Sequence, residues 1–216
     1  MKKINKENIL PIFLAISTYL LSYYIPKVLV TMDRVHFVKY PIDDKLPLIA
    51  PFIIIYICAF GQWANAMLIL ARQNKKTAYR YASAVIIGSL IGLVIFLAYP
   101  TGITRPEISV NNFFDFILAT TFKVDSIVNA LPSFHCFCST IVLFIIYNSE
   151  NVSINCKIFN VLFSLLVFAS TLFTKQHFII DIPTGILLAI ISSALANKIT
   201  FTKTFDYLND KLLKRQ

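Results

Sequence analysis

Three charged or titratable residues lie close together in the otherwise apolar carboxyl-terminal part of the sequence. Lys175, His177 and Asp181 lie within the segment 171–185. On a helix, residues four apart lie one turn from each other on the same face, so Asp181 can accept a hydrogen bond from the His177 imidazole. That contact fixes the tautomer of the ring and leaves its second nitrogen free to attack an electrophile. A structural ion pair near a membrane surface is the alternative interpretation.

Further residues could complete a site that cleaves a phosphate ester. Such a reaction needs cations or amide donors for the phosphoryl oxygens, a nucleophile in line, and an acid for the departing oxygen. Arg105 and Lys175 could bind the oxygens, the first through paired hydrogen bonds and the second as a point charge. His177 suits the nucleophile, and His135 suits the proton donor. Ser133 precedes a predicted helix, whose first amides form an anion site.

His135 is followed by Cys136 and Cys138, a pattern that could also be interpreted as zinc ligands. Residues two apart on a helix point to different sides, so we interpret the cysteines as small apolar side chains. The sequence has no other Cys/His set or carboxylate cluster with the spacing of metal ligands. We therefore predict a reaction that needs neither a metal ion nor another cofactor.

The composition indicates an integral membrane protein. Of 216 residues, 57% are hydrophobic and 14% charged, and the mean hydropathy is +0.70, whereas soluble domains average about 25% charged residues. The net charge is +9, but the basic residues lie in short tracts between apolar runs and form no nucleic-acid-binding motif. They suit orientation in the bilayer and attraction to membrane lipids. Few glycines and prolines leave no room for a long linker, so we predict one domain over residues 1–216.

The apolar runs predict an all-α membrane bundle of six transmembrane helices. An apolar stretch between the third and fourth, 113–122, is too short to span a membrane and too apolar for an ordinary loop, so we expect an interfacial helix there. The third histidine, His36, has no polar company and is interpreted as a loop residue. The six predicted spans are 9–30, 46–71, 81–99, 132–147, 158–173 and 177–196.

The distribution of basic residues predicts that both termini are cytoplasmic. With the amino terminus inside, the inner segments hold 13 Lys and Arg residues and the outer segments hold seven, as the positive-inside rule requires. Arg105, His135, Lys175 and His177 then fall in or beside the third and fifth connections, which lie on the same side. We expect these residues to form one site near the outer face of the cell membrane.

The paired histidine segments resemble motifs of the type 2 phosphatidic acid phosphatase, or lipid phosphate phosphatase, family. The second motif of that family is Pro-Ser-Gly-His, and this chain has Pro-Ser-Phe-His at 132–135. The third motif is Ser-Arg, five residues, His, three residues, Asp, which resembles Ser170 with His177 and Asp181. Arg105-Pro106 resembles the end of the first motif. The start of the second span also resembles a membrane branch of the family related to sphingolipid headgroup transferases.

Three motif positions differ from the family pattern. Ala98 replaces a lysine of the first motif, Phe134 replaces the glycine of the second, and Thr171 replaces the arginine of the third. Lys175, two residues before His177, could compensate for the missing charge. The resemblance extends from Leu46 to Gly185, which is most of the chain.

The resemblance implies a membrane phosphatase that hydrolyses a lipid phosphate monoester or pyrophosphate through a phosphohistidine intermediate. It implies catalytic roles for His135, His177 and Asp181 and substrate-binding roles for Arg105 and Ser133. Lys175 matches no motif position, and we expect it to bind substrate because of its charge and its place two residues before His177. Alternatives are a headgroup phosphotransferase, which passes the phosphoryl-bearing group to another lipid alcohol, a proton-coupled transporter, and an inactive lipid-binding relative.

The orientation can be tested by labelling introduced cysteines with an impermeant thiol reagent. A cysteine placed in 101–131 should react from the outer side of intact cells, because that connection is expected outside. A cysteine placed in 72–80 should not react until the membrane is opened. The reverse pattern would invert the topology and move the site to the cytoplasmic face.

Overall fold

The computed structural model describes residues 3–213, and over that range the ordered segments are helices. Two isolated β-bridges, from His36 to Thr101 and from Gly102 to Val128, link connections without forming a strand in the described part. The all-α prediction is therefore confirmed. The helices are α1 (Ile9–Leu29), α2 (Pro41–Lys45), α3 (Phe52–Leu70), α4 (Lys75–Ala98), α5 (Phe113–Val124), α6 (Phe134–Asn148), α7 (Ile154–Phe173), α8 (Asp181–Lys198) and α9 (Thr202–Leu213).

The long helices pack into one bundle. α4 contacts α1 and α8, α6 contacts α7 and α8, and α3 contacts α6 and α7. Gly88 and Gly92 of α4 leave space that the rings of Phe137 and Phe134 of α6 fill. Small residues at such interfaces let helices approach closely in a membrane. The amino-terminal half of α6 is therefore held firmly against its neighbours.

Fewer helices than predicted meet the requirements for a membrane span. Among the described residues, four segments are long and apolar enough: Lys6–Leu29, Phe52–Leu70, Lys75–Ala98 and Ile154–Phe173. α8 and α9, which are bent by 75°, make a fifth when counted together. α6 has 15 residues, so at ~1.5 Å per residue it covers roughly 22 Å of a ~30 Å hydrocarbon core. The membrane class is supported, but the predicted count of six spans is not confirmed.

Several predicted helix boundaries are wrong for identifiable reasons. The second predicted span begins at Phe52 instead of Leu46, because the chain turns through Pro51 before the helix. The third begins earlier, at Lys75, because the side chain of Asn74 caps its first turn. The sixth begins at Asp181 instead of His177, because the residues between α7 and α8 form a tight turn.

The segment predicted as interfacial is helical, and a further helix was not predicted. α5 is capped by Asn112 and exposes Phe113 and Phe116, which agrees with an apolar surface helix. α9 lies in the basic tail of the sequence; its Asp206 pairs with Lys75 at 2.7 Å, which ties the tail to α4. The last basic residues of the tail, Lys214 and Arg215, lie outside the described residues.

The connections form two groups at opposite ends of the bundle. At one end, the amide of Asn5 donates to the carbonyl of Ala71 (2.9 Å), and α9 packs beside this segment. At the other end, the amide of Ile49 donates to the carbonyl of Phe173 (2.8 Å). The third and fifth connections meet at this second end, as the sequence predicted, because Arg105 hydrogen-bonds to Gln176. We call it the site end.

The close approach of α6 and α8 gives a stability test. A Cβ on Gly185 would overlap the carbonyl oxygen of Ser133 and lie 2.9 Å from the Cβ of Cys136. Gly185→Ala should therefore lower the free energy of unfolding by about 1–3 kcal/mol. Gly61→Ala is the matched control, since its Cβ would meet nothing within 4 Å. Denaturation in detergent measures both variants, and equal stability would contradict the close approach.

Candidate active site

His177 and Asp181 form a direct hydrogen bond at the site end. The distance from His177 Nδ1 to Asp181 Oδ2 is 3.0 Å, and the same carboxylate oxygen accepts from the amide of Phe178 at 2.9 Å. Asp181 is the first residue of α8, where the helix dipole favours a negative charge. An ionised Asp181 places the ring proton on Nδ1 and leaves the Nε2 lone pair of His177 free. The predicted contact is present, although His177 precedes the helix.

A tight turn brings His177 to that position. Lys175 adopts a positive φ of 53°, and the amides of Gln176 and His177 both donate to the carbonyl of Thr171, at 2.9 and 3.0 Å. The chain thus folds back on the end of α7 before α8 begins. The imidazole of His177 is held with 8% of the side chain exposed.

His135 lies in the first turn of α6 and faces His177. The centroids of the two imidazole rings are 6.4 Å apart, with planes inclined at 60°. His135 stacks on Tyr56 at 3.9 Å between ring centroids and also contacts the rings of Phe60 and Trp63. Its Nε2 is buried and has no hydrogen-bond partner among the described residues. An unpartnered ring nitrogen on a residue that lines the same cavity as a second imidazole can exchange a proton with a ligand bound there.

Ser133 connects the two histidine segments. It is fully buried, its Oγ accepts from the amide of Cys136 at 3.3 Å, and its own amide donates to the carbonyl of Asp181 at 3.1 Å. The hydroxyl is therefore the amino-terminal cap of α6. The backbone bond joins the start of α6 to the start of α8, so Ser133 helps to set the separation between His135 and His177.

The guanidinium of Arg105 is buried and bound mostly by protein acceptors. Nη1 donates to the carbonyls of Phe122 (2.9 Å) and Asp125 (3.2 Å), and Nη2 donates to the carbonyl of Ser126 (3.0 Å) and to Oε1 of Gln176. Burial lowers the pKa of Arg105 from its usual value, and the nearby Asp125 carboxylate opposes that shift. Arg105 remains a cation at any physiological pH, so it gives the site end a fixed positive charge.

Lys175 binds the carboxyl-terminal end of α2. Its Nζ donates to the carbonyls of Asp43 (3.0 Å) and Leu46 (2.6 Å). The Asp43 side chain in turn accepts from the amide of Ile179 at 2.8 Å. The segment before the second long helix is thereby fastened to the turn that carries His177.

A partly buried carboxylate lies close to the histidines. Asp125 accepts hydrogen bonds from the hydroxyls of Tyr23 and Tyr56 (3.2 Å for Tyr56) and from the amide of Ser126 (2.8 Å). Nη2 of Arg105 lies 3.9 Å from it. These partners compensate the charge of Asp125, which would otherwise be costly to bury. Because Tyr56 also stacks on His135, the cluster supports the orientation of that ring.

The structure adds three residues to the site that the sequence did not predict: Asp43, Asp125 and Gln176. Each lies in a connection at the site end, and Gln176 directly precedes His177. Polar residues in connections predicted to share one side could have been grouped as a signal. No spacing in the sequence identifies their hydrogen-bond partners. His36, in contrast, is a loop residue as predicted and stacks on Tyr99.

Two cavities meet at His177. The first, of about 440 Å³, is lined by both histidines, by Gln176, and by apolar and tyrosine side chains of α1, α3 and α5. Exposed residues such as Phe60 and Phe116 belong to its wall, so it reaches the apolar outside of the bundle. The second, of about 290 Å³, is smaller and more polar; its lining includes Arg105, Lys175 and the two carboxylates of α2.

Possible metal ligands do not cluster in the described part of the chain. Among residues 3–213, no three side chains of His, Cys, Asp or Glu come close enough together to hold a metal ion. The four cysteines are free thiols. Independence from metal ions stays a prediction for an assay in the presence of a chelator.

The site end thus combines an oriented imidazole, a second imidazole facing it and buried positive charge, within a bundle of apolar helices. The chain matches the family model of the PAP2 superfamily over residues 30–195, more than half of its length. It therefore belongs to the PAP2 superfamily, and the resemblance to type 2 phosphatidic acid phosphatases is confirmed. Comparisons with curated proteins and with solved structures gave no match.

Proposed function

We propose that this protein is a membrane phosphatase that hydrolyses a lipid phosphate monoester or pyrophosphate through a phosphohistidine on His177. The observation that carries the proposal is the His177–Asp181 hydrogen bond of 3.0 Å, with the ring of His135 6.4 Å away on the wall of the same cavity. A phosphoryl group between the two rings can be attacked from one side and can lose its alcohol on the other.

In the first step, Nε2 of His177 forms a bond to phosphorus while the bond from phosphorus to the alkoxide of the lipid breaks. His135 donates a proton to that departing oxygen. The negative charge of a bound phosphoryl group favours the cationic form of His135 that this step needs. Asp181 stabilises the positive charge that develops on His177.

In the second step, a water oxygen attacks the phosphorus of the intermediate and the phosphorus–nitrogen bond breaks. His135, now neutral, accepts a proton from that water. The products are inorganic phosphate and an enzyme in which His135 is again protonated. The reaction balances without a metal ion or a redox cofactor.

The remaining predicted site residues have supporting roles in this proposal. Arg105 contributes its charge, and Lys175 has one N–H beyond the two that bind α2, which can contact a phosphoryl oxygen from the polar cavity. Ser133 acts through His135, because its hydroxyl is committed to the cap of α6. The apolar cavity suits the hydrocarbon part of a lipid, whose phosphate would lie at His177.

A headgroup phosphotransferase is the second candidate. The observation that favours it is the second, more polar cavity that His177 also lines, with Lys39, Asp43 and Asp44 besides Arg105 and Lys175. The polar part of an acceptor lipid bound there could bring its hydroxyl in line with the phosphorus–nitrogen bond in place of water, and His135 would accept the hydroxyl proton. Whether water or alcohol accepts the phosphoryl group depends on which of them occupies that in-line position.

The proposal is tested by phosphate release from purified full-length protein in detergent. The substrates are a panel of lipid phosphates and pyrophosphates, each assayed with and without a lipid alcohol, and with EDTA throughout. Phosphate release supports the phosphatase, and a new phosphorylated lipid supports the transferase. If the protein turns over only after Mg²⁺ or Zn²⁺ is added, the metal-free mechanism is wrong. No turnover of any substrate would favour an inactive relative.

The two histidines should give different kinetic defects. His177→Ala should abolish turnover, because no nucleophile remains. His135→Ala should slow lipid phosphate hydrolysis by about 10²–10⁴-fold, as expected for loss of a general acid. That defect should shrink with a nitrophenyl phosphate, whose leaving group needs no proton.

His36→Ala is the matched control, since His36 is exposed at the same end and stacks on Tyr99 outside both cavities. Its activity should equal that of the wild type. Full activity in the His177→Ala protein, or an equal defect of His135→Ala on both substrates, would show that the assigned roles are wrong.

A further inference from the structure

We propose that Gln176 is a further catalytic residue, whose side-chain amide donates a hydrogen bond to the phosphoryl group between His135 and His177. The inference rests on the proposed function and assigns to a neutral residue the contact that a cation makes elsewhere in such sites. Three observations support it. Arg105 fixes the orientation of the Gln176 side-chain amide, the NH₂ group of that amide is buried without an acceptor, and both terminal nitrogens of Arg105 already donate to protein oxygens.

The orientation of the Gln176 amide follows from Arg105. Nη2 of Arg105 contacts Oε1 of Gln176. A guanidinium can only donate hydrogen bonds, so the amide atom facing it must be the oxygen and not the NH₂ group. The NH₂ group of Gln176 is therefore on the side away from Arg105, and the amide cannot be flipped without opposing two donors.

The donor of that amide is buried without a partner. Gln176 is 3% exposed, and its Nε2 has no hydrogen-bond acceptor among the described residues. Gln176 lines the same cavity as His135 and His177, and Nε2 of His135 is likewise without a partner. Buried polar atoms are nearly always satisfied, so unpartnered ones beside a cavity indicate a ligand that supplies the missing atoms. An acceptor-rich group such as a phosphoryl group satisfies the Gln176 donor.

Most donors expected to bind phosphoryl oxygens are already used by the protein. Both terminal nitrogens of Arg105 donate to protein oxygens, which leaves only its Nε, and two of the three N–H groups of Lys175 bind the carbonyls of Asp43 and Leu46. Ala98 offers no donor, and the hydroxyl of Thr171 donates to the carbonyl of Phe168 at 2.7 Å. The backbone amide of Gln176 donates a hydrogen bond to the carbonyl of Thr171, which fixes this residue directly before the nucleophile. Such a preorganised donor is suited to charge that develops in the transition state.

The test compares two substitutions that affect the two contacts of Gln176 differently. Gln176→Glu keeps an oxygen for Arg105 and has nearly the same shape, but it replaces the NH₂ donor by an anionic oxygen. Gln176→Met removes both contacts. Gln73→Met is the matched control, because Gln73 is equally buried but lies at the opposite end of the bundle, where its Oε1 accepts from the amide of Glu150.

The primary readout is the binding of orthovanadate, which adopts the five-coordinate arrangement of a transferring phosphoryl group, measured by thermal stabilisation of the full-length protein. Gln176→Met should bind it about 10²–10³-fold more weakly than wild type, the range for loss of one such donor. Gln176→Glu should bind it more weakly still, because of charge repulsion. For a lipid phosphate that the wild type hydrolyses, the kcat of the Gln176 variants should fall in parallel with their vanadate affinity, while KM should change less.

Retention of wild-type vanadate affinity in Gln176→Glu would overturn the inference, as would a wild type that binds no vanadate. Failure of the proposed function gives a different result, namely no phosphate release from the panel or full turnover in His177→Ala. If Gln176→Met does not fold, Gln176→Glu decides, because it retains the Arg105 contact. A loss of vanadate binding in Gln73→Met equal to that in Gln176→Met would also count against a specific donor.

Discussion

The close approach of the amino-terminal ends of α6 and α8 is the constraint on which the site depends. The Ser133 amide binds the carbonyl of Asp181, and the absence of a side chain at Gly185 lets the two backbones meet. His135 follows Ser133 in α6, and His177 binds the carboxylate that begins α8. The separation of the imidazoles is therefore set by backbone contacts within the bundle and not by flexible loops. Mutual positioning of this kind accounts for much of enzymatic rate enhancement.

The charged and polar side chains at the site end lie within a bundle of apolar helices, so they need partners from the protein itself. The charges of Arg105 and of the partly buried Asp125 lie near each other. Backbone carbonyls accept most of the hydrogen bonds that Arg105 donates, and tyrosine hydroxyls donate hydrogen bonds to Asp125. Breaking such a cluster by removing one member leaves an uncompensated buried charge. At the site end, three buried polar atoms have no partner among the described residues: Nε2 of His135, Nε2 of Gln176 and Nε of Arg105. Other unpartnered buried atoms are scattered through the bundle, for example on Ser22, Gln62 and Ser193, but these three belong to residues that line the cavities at His177.

The sequence predicted those features of the site that depend on local spacing. The His177–Asp181 contact and the sharing of one end by the third and fifth connections follow from residue offsets and from the alternation of apolar segments. The partners of Arg105 and Lys175 could not be predicted, because their hydrogen bonds join residues 71 and 132 positions apart and leave no periodic signal. The start of α8 was misplaced because apolar composition alone does not reveal the turn around Lys175. The predicted count of six spans is not confirmed, because an apolar run also describes a helix as short as α6.

In the proposed reaction, His177 carries the phosphoryl group as a covalent intermediate. The most direct measurement is to mix the enzyme briefly with a lipid phosphate labelled in phosphorus, quench in denaturant, and map the covalent label. We expect a label that is stable in base and labile in acid, attached to His177 and absent from the His177→Ala protein. Label on His135, or a label with the acid stability of a phosphoserine, would contradict it.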